Sequence, residues 1–332
     1  MQVKERSVTI DFIRCICMIF VVCILHFSQY TQYENWWQGE LATWLTTAAL
    51  AGFTFISGYL TYKSTRKYES IGRKYLLSRI IKIYPLFVLA SILLFICGNI
   101  STLKELVFTI FLHGGDLITP SPTTVWYICM MFLFYLFVPL ILNCKKWKKQ
   151  LECSIIIYIA LIIYFFCGNA DYRLLLYFPF FCFGMLFNHL PIDKIKNKYI
   201  KFGMFVISLL VVFFMLKKVI YINLGFKMYY ILMEFFSLVM LYILWYIANL
   251  INKISIAKVR RTVQIIGYSS FCMYLFHRPV YFCIQKICGQ TIPIYGTLII
   301  FPILVSLCYC INKLYDFVIS EIIEKRKIKK SV

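Results

Sequence analysis

The chain has 332 residues, 61% of them hydrophobic and 15% charged, with a mean hydropathy of +0.78. Soluble domains are about half apolar and about a quarter charged, so a water-soluble globule is excluded and lipid is the expected solvent for most of the surface. The net charge of +21 does not argue for a nucleic-acid partner, because Lys and Arg fall in short clusters between apolar runs and form no continuous basic face.

The N-terminus carries Lys4 and Arg6 ahead of an apolar stretch. Asp11 and Arg14 interrupt that stretch, and no small-x-small cleavage site follows His26, so it reads as a retained first span. A transmembrane helix needs about 20 mostly apolar residues. On that scale spans are expected at 10–30, 42–62, 83–100, 124–143, 152–168, 174–190, 201–217, 228–249, 264–285 and 294–315. Helices are expected because short, separate apolar segments can satisfy their backbone groups internally in no other way; the runs are continuous, not alternating as in a membrane barrel. The fold class is thus an all-α integral membrane bundle of about ten transmembrane helices, in one domain over 1–332.

Connector charge sets the orientation. Residues 31–41 have no Lys or Arg, whereas the next connector has Lys63, Arg66, Lys67, Arg73, Lys74, Arg79 and Lys82. Basic clusters recur at Lys145–Lys149, at Lys194–Lys198, at Lys253–Arg261 and in the tail from Lys325 to Lys330. Alternate connectors are therefore basic and belong in the cytoplasm, which puts both termini there. The long outer connector 101–123 holds a weakly apolar stretch, Leu106 to Leu112, then His113–Asp116 and Thr119–Pro122. It predicts a short interfacial helix and a turn.

Fourteen cysteines are scattered, mostly within apolar runs, with no Cys-x-x-Cys pair. They read as small hydrophobes, and no metal site is expected. Ionisable residues within spans are expensive in lipid and are functional candidates by default: Arg14, His26, Glu234, His277 and Arg278. Arg14 lies one turn inside the cytoplasmic end of the first span, where it can snorkel or meet an anionic ligand. His26 lies roughly 18 Å further along a helix, and histidine is a good general base near neutral pH. Glu234 and Arg278 lie at similar depths and could form an ion pair that fixes two helices or lines an acceptor cleft. Arg79 and Lys82, three apart, share a helix face as a topology anchor or a phosphate clamp.

These residues carry a resemblance. Asp11, Arg14 and the apolar run to His26 resemble the opening span of the membrane acyltransferase-3 family, which includes O-acetyltransferases of polysaccharides and lipopolysaccharides. Phe53 to Leu60 with Ser57-Gly58, the stretch Arg79 to Pro85 with Lys82 and Tyr84, Trp126-Tyr127 with Tyr135 and Pro139, and Ile266 to Pro279 with His277 are similar to its later motifs. The matches run in order from residue 10 to about 285. The resemblance implies transfer of an acetyl group from cytoplasmic acetyl-CoA to a hydroxyl of an envelope glycan or lipid-linked saccharide, in the plasma or inner membrane. It implies His26 and Arg14 as catalytic and Arg14, Arg79, Lys82 and Tyr84 as CoA contacts; Trp126, Tyr127, Glu234, His277 and Arg278 are the candidates to line the acceptor site. A glycan exporter or flippase on the same fold, or a polysaccharide polymerase, is the rival reading.

Two departures from the family pattern are legible. Eleven residues separate Arg14 from His26, where the family usually has ten, so either a π-bulge absorbs the extra residue or the histidine is re-aimed. Lys82 stands where the family favours arginine, keeping charge but losing the bidentate fork.

Overall fold

A computed structural model describes residues 7–31, 39–68, 70–111, 125–168, 171–190, 197–219, 226–253, 256–289 and 291–331. Among them there is no strand. Helix α1 runs over Val8–Met18 and continues without a break as a π-helix over Ile19–His26. There follow α2 (Glu40–Thr65), α3 (Arg73–Ile96), the short α4 (Leu103–Ile110), α5 (Trp126–Leu142), α6 (Trp147–Phe166) and α7 (Tyr172–Leu186). The chain ends with α8 (Lys198–Val219), α9 (Phe226–Lys253), α10 (Ala257–Cys288) and α11 (Thr297–Ser331).

A helix stands over each expected span. Among the described residues seven segments are long and apolar enough to cross a membrane: Val8–His26, Glu40–Thr65, Arg73–Ile96, Trp147–Phe166, Lys198–Lys217, Met228–Lys253 and Ile294–Ile322. Helix α5 is apolar but shorter. The polar stretch Lys258 to Gln264 dilutes α10, and α7 has 15 residues.

Boundaries differ from expectation in three places, each for a local reason. The basic segment from Arg73 to Lys82 is not a connector but the first turns of α3, since Arg, Lys and Leu are good helix formers. The last helix runs on through the basic tail to Ser331, a stretch rich in the helix formers Glu, Lys and Arg. The interfacial helix starts earlier than Leu106, because Thr102 caps it by accepting from the Glu105 backbone N–H at 3.1 Å. His113–Asp116 and Thr119–Pro122 lie outside the described residues.

Helix α1 is central, packed against α2, α9 and α10. That position answers its sequence: a helix carrying Asp11, Arg14 and His26 needs protein around it, whereas the all-apolar α8 stays at the periphery, with no part of its most apolar stretch buried. Close packing uses glycine. A Cβ added to Gly58 in α2 would lie 2.0 Å from the Phe181 carbonyl oxygen, and one added to Gly184 in α7 would lie 2.0 Å from the Phe55 carbonyl oxygen. The two glycines thus let α2 and α7 touch backbone to backbone, the approach that membrane helices use in place of a hydrophobic driving force. Gly267 in α10 does the same for α1, since its Cβ would meet the Asp11 Cβ at 2.8 Å.

Candidate active site

The extra residue in the first span has a structural answer. A regular α-helix turns about 100° per residue, so twelve steps from Arg14 would leave His26 about 120° off Arg14's face. The stretch Ile19–His26 is instead π-helical. Its i→i+5 bonds take one residue more per turn, so each step turns the chain less and the surplus is absorbed. A hydroxyl from α10 engages the widened segment: Tyr281, fully buried, donates to the Val22 carbonyl at 3.1 Å.

Four residues before Tyr281, on the same face of α10, stands His277, also fully buried. Its Nε2 lies 2.7 Å from His26 Nδ1. The ring planes are within 4° of parallel with centroids 4.8 Å apart; so short a nitrogen contact at that separation places the rings edge to edge. The hydrogen bonding settles the tautomers. His277 Nδ1 lies 3.0 Å from the Met273 carbonyl, which can only accept, so Nδ1 carries the proton. Neutral His277 then presents a lone pair at Nε2, and His26 Nδ1–H donates to it. The remaining nitrogen of His26, Nε2, is left as an acceptor, and the His26 side chain is half-buried. This is the arrangement of an oriented general base.

The other end of α1 opens on a chamber of about 550 Å³ between α1, α2 and α3. Among the described residues Arg14, Lys63, Arg79 and Lys82 line it, against one carboxylate, Asp11. Arg79 is held in place: its guanidinium donates to Ser64 Oγ at 2.5 Å and lies over the rings of Tyr75 and Tyr135 at 5.2 and 5.3 Å. Lys63 sits 4.4 Å from the Tyr59 ring centroid. The structure therefore brings Arg14, Arg79 and Lys82 together. It adds Lys63, whose place in a basic connector marks it in the sequence only as a topology signal.

Tyr84 does not line this chamber. Its hydroxyl donates to the Ile110 carbonyl at 2.9 Å, tying α3 to the end of α4. The Glu234–Arg278 ion pair is not formed either. Glu234 accepts from the Tyr158 hydroxyl at 3.4 Å, while Arg278 is buried beside the Tyr30 phenol. Similar depth along two helices does not fix which way their side chains face. Trp126 and Tyr127 belong to an aromatic series leading away from the histidines. Tyr274 lies 6.2 Å from His277 and 5.5 Å from Tyr127 between ring centroids, and Tyr127 lies 5.9 Å from Trp126. Arg173, paired with Asp171, covers Trp126 at 4.3 Å. Among the described residues no group of three or more His, Cys, Asp or Glu could hold a metal ion.

Residues 8–313, nearly the whole chain, match the acyltransferase-3 family, described as an acyltransferase domain. The chain belongs to that family. No curated protein and no solved structure matches significantly. This membrane acyltransferase therefore presents, on one helix, a paired histidine toward one end and a cationic chamber at the other.

Proposed function

We propose that this acyltransferase moves an acetyl group from cytoplasmic acetyl-CoA to a hydroxyl of an envelope polysaccharide or a lipid-linked glycan. In this reading the bundle has ten spans in the plasma or inner membrane, with both termini cytoplasmic and the basic chamber on the cytoplasmic side. The observation that carries it is the His26–His277 pair, set by the π-helical segment on the helix whose other end holds Arg14.

CoA is a polyanion, and the cations Arg14, Lys63, Arg79 and Lys82 of the chamber suit its phosphates, with the Arg79 fork preset by Ser64 and two tyrosines. The pantetheine arm then runs along α1 and carries the thioester toward His26, twelve residues or roughly 18 Å away at 1.5 Å per residue. His26 Nε2 takes the proton of the acceptor hydroxyl as its oxygen attacks the thioester carbonyl. The resulting imidazolium keeps its Nδ1–H bond to neutral His277, which stabilises the charge. Because His277 Nδ1–H already faces the Met273 carbonyl, His277 orients its neighbour and relays no proton. The tetrahedral adduct collapses, the C–S bond breaks, and the thiolate leaves with the proton from His26. The products are the acetyl ester and CoA thiol. Helices around α1 exclude water and so limit thioester hydrolysis.

The test is acetyl transfer from radiolabelled acetyl-CoA in membranes expressing the wild type, His26→Ala or Arg14→Ala, with insertion checked by surface labelling. Label reaching glycan in the wild type and lost in either variant supports acyl transfer. Glycan export that survives His26→Ala without acyl-CoA supports the exporter instead.

A further inference from the structure

A second, larger cavity lies on the other side of α3 from the chamber. It measures about 630 Å³ and is walled by α3, α5, α6 and α7 through apolar side chains such as Leu76, Leu133, Phe137, Leu161 and Leu174. The proposed transfer does not use it. Among the described residues Arg79 is its one charged lining residue, and Arg79 also lines the chamber. The guanidinium therefore stands in the partition between a polar cavity and an apolar one. Ser64 takes only one of its nitrogens, and its Nε is buried without a hydrogen-bond partner.

We propose that this groove binds one acyl tail of an anionic glycerophospholipid from the leaflet at the basic end, with the lipid phosphate on Arg79. Three observations converge. The walls are apolar along their length, from Leu76 near the start of α3 to Leu174 near the opposite end of the bundle, so a chain entering at Arg79 lies along the membrane normal. The volume holds on the order of twenty water-sized units, the scale of one long acyl chain; a polyprenyl chain several times longer overflows it. The charge at the mouth is a fixed Arg fork, which matches a phosphate in two-point geometry, and anionic headgroups are drawn to basic membrane-edge residues. Because the same guanidinium faces the chamber, a bound lipid phosphate holds Arg79 and adds negative charge at the CoA site's edge. Lipid composition then tunes donor affinity. That last step rests on the proposed CoA site; the lipid site itself does not.

The experiment is native mass spectrometry of the full chain in detergent, without acyl-CoA, so its result is independent of the acyltransferase reading. Phosphatidylglycerol and phosphatidylcholine of matched tails are added in equal amounts. The expected result is one retained phosphatidylglycerol per chain, preferred at least tenfold over phosphatidylcholine. Leu133→Trp, which fills the groove, and Arg79→Gln each lower that occupancy at least tenfold. Leu209→Trp on the exposed face of α8 leaves it unchanged. Should Leu133→Trp fail to fold, Leu136→Trp, at a half-exposed groove position, replaces it. Equal retention of the two lipids, occupancy unaffected by the groove-filling change, or displacement by equimolar polyprenyl phosphate overturns the assignment.

Discussion

At the scale of single residues, His26 and His277 have different duties, and the difference is measurable. His26→Ala removes the base and is expected to lower kcat by about 10²–10⁴-fold. His277→Ala leaves the base but frees its tautomer and ring orientation. The expected loss in kcat is smaller, about tenfold to a hundredfold, with little change in the KM for acetyl-CoA. An equal loss in both variants would mean that His277 touches the reaction directly. At the chamber, Lys63→Ala is expected to raise the KM for acetyl-CoA several-fold with kcat nearly retained, and the effect shrinks at high salt, as for any screened charge contact. The sequence announced the candidate residues themselves, since ionisable groups within apolar runs stand out. It could not announce their pairing. His26 and His277 are 251 residues apart, and the nitrogen that carries each proton depends on a carbonyl four residues back in α10. Lys63 was hidden for the opposite reason: its position in a basic connector already had an explanation.

At the scale of elements, α1 shows how one inserted residue is accommodated. The surplus between Arg14 and His26 is legible in the sequence as a phase error with two remedies, a π-bulge or a re-aimed histidine. Choosing between them needed α10, whose Tyr281 and His277 both dock on the π-helical segment. The π segment makes a sharp prediction. Deleting Phe20 lets the stretch become regular α-helix with eleven steps from Arg14 to the histidine, about 20° from the same face. That variant is expected to keep a substantial part of its acetyl transfer. Inserting an alanine at the same place adds a second surplus residue and is expected to abolish transfer, measured in the same membranes. Equal loss in both would show that register is not what the π segment preserves. Packing makes a second prediction. Gly58→Ala drives a methyl into the Phe181 carbonyl across the α2–α7 contact. It is expected to cost about 1–3 kcal/mol or more, read as a lower melting temperature in detergent. The Ser57-Gly58 motif was legible as a pattern; its backbone partner in α7 was not.

At the scale of the whole molecule, apolar run length places a helix over every expected span, while the basic ends of α3 and α11 extend well past the apolar limits. Such features are local, and lipid imposes them on each segment separately. Lateral arrangement is not local. Nothing in the run lengths tells that α1 sits inside the bundle while α8 stands at its edge, although the polarity of α1 hints at it. The proposed orientation predicts that alkaline phosphatase fused after Gly98 or Gly168 is active, whereas fusions after Lys67 or Lys149 are inactive. The reverse pattern would turn the molecule over and place the cationic chamber away from cytoplasmic CoA.

The central claim is that donor binding and base catalysis are divided between the two ends of α1. Purified protein assayed for acetyl transfer, with acetyl-CoA binding measured alongside on wild type and His26→Ala, tests it most directly. The account predicts that His26→Ala binds acetyl-CoA as tightly as the wild type while transferring at least a hundredfold more slowly. Transfer at the wild-type rate by His26→Ala would contradict it.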